Sequence, residues 1–144
     1  MQNITPVISH PERNHSLLAD PPRLYRLVEM GALTQITAAS LMGRFGSEIR
    51  RFCVLLLKHH LAHVIATDAH GDRTRAPRLA DGRREAAKIV GNDMARDLVC
   101  KNPQLIVRGE QFIPLEPIPL DERSSRSSRS PFRRLLSFFD LGRK

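Results

Sequence analysis

Asp68 and His70 stand one small residue apart at the end of an apolar run, VIATDAH over residues 64–70. Residues i and i+2 of a strand point to the same face. Both side chains are therefore expected to reach one point above the strand end. Imidazole and carboxylate are the donor types for Mn, Fe or Zn. His10 closes another short apolar run, ITPVIS over residues 4–9, and is the third candidate ligand. Arg13 lies three positions after His10, and Arg75 five after His70. A guanidinium presents paired donors that match phosphate oxygens. Metal ligands beside loop arginines point to metal-assisted phosphoester hydrolysis.

These side chains need elements to bring them together. ITPVIS reads as a short buried strand, and HPERNHSLLADPP as a loop leaving its end. Pro21 and Pro22 open a helix at its first turn, where a missing N–H is tolerated. Leu24, Leu27 and Val28 line one face of that helix, which stops at Gly31. ALTQITA (32–38) is the second strand. SLMGRFGSEIRRFCVLLLKHHL (40–61) reads as the longest helix, with Phe45, Ile49, Phe52, Cys53, Leu56 and Leu57 inward. AHVIATDA (62–69) is the third strand. Helices over 81–90 and 93–101 follow, broken at Gly91–Asn92, and NPQLIVRGE adds a short helical turn. Strands alternating with helices predict an α/β fold, a parallel sheet with outer helices. Active sites of such folds sit at the carboxyl ends of the strands. His10 and Arg13 follow the first strand there, and Asp68 and His70 the third. Three strands do not close a barrel, so an open sheet edge is expected.

The chain of 144 residues carries a net charge of +8. Residues 1–120 hold 16 Lys/Arg against 12 Asp/Glu, and residues 121–144 hold 7 against 3, so half of the excess lies in the tail. RSSRSSRS is low-complexity and solvated. In PFRRLLSFFDLGRK, Phe132, Leu135, Leu136 and Phe139 keep i, i+3, i+4, i+7 spacing beside Arg133 and Arg134. The expected division is a catalytic portion over 1–110, a Pro/Ser/Arg-rich linker over 111–130, and an amphipathic basic tail over 131–144. An amphipathic helix over 131–141 is expected either to lie on an anionic membrane surface or to pack back on the domain. Nucleic-acid binding through the tail has no recognition module behind it.

Two cysteines do not make a disulfide framework, and both read as reduced thiols of a cytoplasmic protein. Neither supports a cysteine phosphatase. VLLLKH after Cys53 lacks the arginine of a phosphate loop, and Cys100 has no glycine-rich cradle. His59, His60 and His63 near a helix end read as capping and surface residues, and His15 as a loop residue. No apolar run approaches the ~18–20 residues of a membrane span, and the N-terminus lacks the pattern of a signal peptide.

Three segments, ISHPERN, LVEMGALTQITAASLMGRFG and HVIATDAHGDRTRAP, together resemble the C-terminal part of the CpsB/YwqE-type tyrosine-protein phosphatases. These are manganese-dependent members of the PHP (polymerase and histidinol phosphatase) superfamily. The resemblance runs from about Thr5 to Glu110. It implies part of a distorted (β/α) barrel and a trinuclear Mn2+ site. It also implies hydrolysis of phosphotyrosine on the tail of a membrane-bound autophosphorylating kinase that controls capsular or exopolysaccharide synthesis. By position, His10, Asp68 and His70 match metal ligands, and Arg13 and Arg75 match phosphate-binding arginines. The family's H-x-H segment and its further ligands have no counterpart before His10, so the N-terminal metal-binding half is expected to be missing. Asp72 and Glu12 match no ligand. A second reading stands beside the enzyme: a catalytically inactive remnant that binds a partner, or a further copy of itself, through the open sheet edge. Location in the cytoplasm, with contact at the inner face of the plasma membrane, goes with the enzyme reading.

Overall fold

The computed structural model describes residues 4–71 and 78–120. Three parallel strands form one sheet in the order β1-β2-β3: β1 Val7–Ser9, β2 Leu33–Thr37 and β3 Val64–Ala66. Register pairs Ile8 with Thr34 and Ile36 with Ile65. Two short helices, α1 (His15–Ala19) and α2 (Pro21–Glu29), connect β1 to β2. Helices α3 (Ala38–Leu41) and α4 (Ser47–Lys58) connect β2 to β3, and α5 (Leu79–Val90), α6 (Asn92–Val99) and α7 (Lys101–Arg108) follow. This is the expected α/β arrangement of parallel strands with helices outside.

The central strand explains its own position. Leu33, Thr34, Ile36 and Thr37 are buried on both faces of the sheet, as a parallel strand between helical layers requires. Leu24 from α2, Leu41 from α3, Leu56 and Leu57 from α4, and Leu98 from α6 join Ile36 and Ile65 in one core. Burying each such side chain contributes about 1.5–3 kcal/mol. Helices α5 and α6 pack on β3 and on each other, and α5 also meets α3. Gly82 makes that last approach close: a Cβ built there would lie 2.5 Å from the Ala38 Cβ.

Four elements differ from their sequence patterns, the first being β1, read as a buried strand over 4–9 but three residues long and mostly exposed. The long helix expected over 40–61 is two helices. Gly43 and Gly46 take φ of +82° and +100°, values that side-chain-bearing residues rarely adopt, and they turn the chain between α3 and α4. Phe45 lies in that turn and is half exposed rather than inward. β3 ends at Ala66 rather than Ala69, because Asp68 enters the left-handed region at φ 50°. α1 occupies part of the segment expected as loop, and its first residue is His15.

β1 forms one edge of the sheet. Val7 on it is 41% exposed and Ile4 just before it 76%, so this edge leaves apolar side chains in solvent. Residues 111–120 form neither helix nor strand, yet they are tied to the body. The Ile118 N–H donates to the His59 carbonyl at 2.9 Å, and His60 Nδ1 lies 2.9 Å from the Glu116 carbonyl. No helix among the described residues is long and apolar enough to cross a membrane. Arg75 and the tail from residue 121 lie outside the described residues, as do the linker residues 121–130.

Candidate active site

Each residue of HPERN has a distinct structural task. β1 ends at Ser9, and His10 turns the chain with left-handed backbone, φ 37° and ψ 56°. Its N–H still donates to the Gln35 carbonyl at 2.7 Å, so the turn stays attached to β2. Pro11 opens a 3-10 turn over Pro11–Arg13, where its missing N–H costs little. Asn14 caps α1: its Oδ1 accepts from the N–H groups of Ser16 at 3.0 Å and Leu17 at 3.3 Å.

Glu12 is the residue that sequence reasoning left without a role. It is fully buried. Its Oε1 accepts from the Thr37 N–H at 2.9 Å and from the Thr37 hydroxyl at 2.8 Å. Thr37 ends β2, and its hydroxyl also meets that of Ser40 in α3. Glu12 thus clamps the turn that carries His10 and Arg13 onto the carboxyl end of the central strand. Its Oε2 is buried without a partner among the described residues. A glutamate between a proline and an arginine gives no sequence sign of burial. Asn14, ahead of His-Ser-Leu-Leu, carries a helix-start signature that the reading of this segment as loop passed over.

The two loops meet through Arg13. Its Nη1 donates to Asp68 Oδ2 at 2.8 Å, and its guanidinium lies over the Phe45 ring, 4.9 Å from the centroid. The ion pair and the ring together hold the fork at the strand ends. His70 turns back on the same residue. Its Nδ1 lies 2.9 Å from the Asp68 carbonyl oxygen and 3.8 Å from Asp68 Oδ1. A carbonyl only accepts, so Nδ1 carries the proton and Nε2 of the neutral ring keeps its lone pair. Orientation of a ligand imidazole through its other nitrogen is the usual arrangement in metal sites.

The structure therefore joins Arg13 to Asp68 and Asp68 to His70, and it places His10 at the end of β1, which β2 separates from β3. Asp68 and His70 meet through a left-handed turn rather than through strand alternation. Among the described residues, no group of three or more His, Cys, Asp or Glu side chains is arranged to hold a metal ion. Two imidazoles and a carboxylate at one end of the sheet suit a divalent metal by donor type, as a partial set.

The remaining candidates fall elsewhere. Cys53 is buried, and burial raises its thiol pKa well above the usual range, with Glu12 adding to the effect. That is the opposite of an activated nucleophile. His59 follows α4 as its cap residue, as expected. His63 is a correction: it is buried rather than a surface residue, and burial lowers its pKa to about 4.

The model of the family described as "Capsular polysaccharide synthesis, CpsB/CapC" matches residues 1–108. Tyrosine-protein phosphatase YwqE of Bacillus subtilis (strain 168) is 34% identical over 123 residues, covering 85% of this chain and 48% of the relative. Tyrosine-protein phosphatase CpsB of Streptococcus agalactiae serotype III (strain NEM316) is 31% identical over 113 residues, covering 75% of this chain and 46% of the relative. A solved structure is described as that of YwqE from Bacillus subtilis and CpsB from Streptococcus pneumoniae, unique metal-dependent tyrosine phosphatases. It superposes with a TM-score of 0.76 at 36% identity, covering 82% of this chain and 47% of that one. The chain spans about half the length of the relatives it matches. The match over residues 1–108 includes both HPERN and DAH, the segments folded together at one end of the sheet, and by it this chain belongs to the CpsB/CapC family of capsular polysaccharide synthesis proteins.

Proposed function

We propose that this chain is the C-terminal portion of a metal-dependent protein-tyrosine phosphatase fold. In this reading it supplies His10, Asp68 and His70 to a metal site, and Arg13 and Arg75 to phosphate binding. The observation that carries it is the link from the Arg13 guanidinium to Asp68, with His70 turned back on the Asp68 carbonyl. A phosphate-binding group and two candidate ligands thereby share one end of the sheet. The names of YwqE and CpsB support the reaction class.

A divalent metal, Mn2+ in this reading, supplies Lewis-acid stabilisation of phosphoryl charge when bound. The residues of this chain do the rest of what can be assigned. His10, Asp68 and His70 hold the ion. Arg13, together with Arg75 five positions after His70 in the sequence, binds and orients the phosphate oxygens of phosphotyrosine. Phe45 and Asp68 hold Arg13 in position before substrate arrives. Three donors are a partial ligand set, and the remainder are assigned to the half of the fold that the relatives have beyond this span.

The substrate in this reading is phosphotyrosine on the tail of a membrane-bound kinase of capsule or exopolysaccharide synthesis. The setting is the cytoplasm, at the inner face of the plasma membrane. The body over 1–110 carries the site, 111–130 connects, and 131–144 approaches the membrane surface. The test joins this chain to the remaining half of Bacillus subtilis YwqE and measures hydrolysis of a phosphotyrosine peptide with Mn2+. Turnover by the hybrid that falls on His10→Ala, Asp68→Ala or His70→Ala supports the reading. Turnover indifferent to all three overturns it and leaves the non-catalytic interaction module.

A further inference from the structure

A cavity of about 500 Å3 lies at the opposite end of the sheet, between α6, α7 and residues 111–115. It takes no part in the chemistry proposed above. Met94, Leu98 and Leu105 give it an apolar wall, while His63, Asp97, Lys101 and Asn102 are among its polar groups.

His63 sets what this cavity asks for. The residue is 3% exposed. Its Nδ1 accepts from the Thr34 N–H at 3.0 Å. The Thr34 hydroxyl donates to the Leu61 carbonyl and so brings no proton to the ring. A ring nitrogen that accepts from a backbone amide carries no proton of its own, so the proton of the neutral ring sits on Nε2. That Nε2–H is buried without a partner among the described residues. Phe112, another residue of the cavity, meets the imidazole at right angles with ring centroids 6.1 Å apart. Burial holds the His63 pKa at about 4, so the ring stays neutral near pH 7. A buried donor without an acceptor is a cost that an incoming acceptor removes.

The start of α7 lies beside it. Asn102 Nδ2 donates to the His63 carbonyl at 2.9 Å, which fixes the first turn of α7 to the histidine. Cys100, the cap residue, makes no side-chain capping bond. Pro103 has no N–H and the Gln104 N–H donates to the Cys100 carbonyl at 3.1 Å, so the Lys101 and Asn102 N–H groups are the ones that precede the helical ladder and favour negative charge. The Lys101 ammonium stands in the same turn, 3.9 Å from Asp97 and largely solvated.

We propose that this cavity binds a small amphipathic carboxylate, its apolar body against Met94, Leu98 and Leu105, and its carboxylate on His63 Nε2–H beside Lys101. An oxygen acceptor answers the buried N–H, negative charge answers Lys101 and the helix start, and an alkyl chain fills the apolar remainder.

The test uses the full 144-residue chain, with octanoate as the probe and octanol as its uncharged control, followed by amide and imidazole N–H chemical shifts. Saturable octanoate shifts at Ala62, His63, Leu98 and Asn102 are expected, including the His63 Nε2–H resonance. Octanol should bind about tenfold more weakly, the difference of one charge-assisted contact. Lys101→Glu, at an exposed position, should weaken octanoate by about tenfold or more. His63→Leu should abolish the preference for octanoate over octanol. Should that variant fail to fold, Lys101→Glu decides alone. No saturable shift by about 10 mM octanoate, equal binding of octanol, shifts centred on the β1 edge, or an unchanged affinity in Lys101→Glu overturns the proposal.

Discussion

The guanidinium of Arg13 and the carboxylate of Asp68 meet at 2.8 Å although 55 positions separate them in the chain. The contact ties the loop after β1 to the loop after β3, over the end of the strand between them. Both side chains keep some exposure, 34% and 18%, so the pair adds little to stability. Its importance lies in position. In hybrid enzyme completed with the other half of YwqE, Arg13→Ala should lower kcat/KM for a phosphotyrosine peptide by about tenfold or more, the size of one charge-assisted phosphate contact. The melting temperature should move by no more than about 3 °C. A large loss of stability with unchanged kinetics would make Arg13 a structural residue.

Glu12 should behave in the opposite way. Glu12→Ala removes a fully buried side chain and leaves the Thr37 N–H and hydroxyl without their acceptor. A loss of about 2–4 kcal/mol is expected in urea denaturation. Glu12→Gln keeps an oxygen at Oε1 and should lose less than about half of that. Equal losses for both would show that the carboxylate charge, rather than the acceptor on Thr37, holds the turn.

His63 predicts a pH dependence. Its folded pKa is lowered from 6.5 to about 4 by burial. The unfolded chain therefore takes up a proton below about pH 6.5 that the folded chain refuses until about pH 4. Stability from this group is fully present above pH 6.5 and is lost as pH falls through that window, by about 3 kcal/mol in all. The measure is the difference in slope between the parent chain and His63→Phe. The variant should show the flatter profile between pH 6.5 and 4 whatever its absolute stability. Identical slopes would contradict the burial of this imidazole.

Gly82 should resist the substitution that normally helps a helix. Alanine in a helix interior is favoured over glycine by about 1 kcal/mol. Here its Cβ would stand 2.5 Å from the Ala38 Cβ and 3.1 Å from the Ala38 Cα. The backbone of α3 cannot yield cheaply, and overpacking of this kind costs about 1–3 kcal/mol. Gly82→Ala should lower the melting temperature. An increase would mean that α5 and α3 are not in contact.

A three-stranded parallel sheet with outer helices was legible in the sequence, because apolar runs alternating with helical stripes leave few topologies open. The positions of His10 and Arg13 after the first strand, and of Asp68 and His70 after the third, were legible as well. Their mutual geometry was not. The i, i+2 relation of Asp68 and His70 assumed a strand, whereas Asp68 has already left it with φ 50°. Gly43 and Gly46 split an apparently continuous helix, since apolar spacing carries no record of positive φ. Glu12 and His63 were missed for a shared reason. Each is a polar residue whose burial depends on a partner far along the chain, Thr37 for one and Thr34 for the other.

The most direct test of the site is paramagnetic broadening by Mn2+ in the amide spectrum of this chain. It senses weak binding by an incomplete ligand set as well as tight binding. The account predicts that resonances of His10, Asp68 and His70 broaden first at substoichiometric Mn2+, and that Asp68→Asn removes the effect. Broadening that begins instead at the exposed carboxylates of α5 and α6, or that Asp68→Asn leaves unchanged, would contradict it.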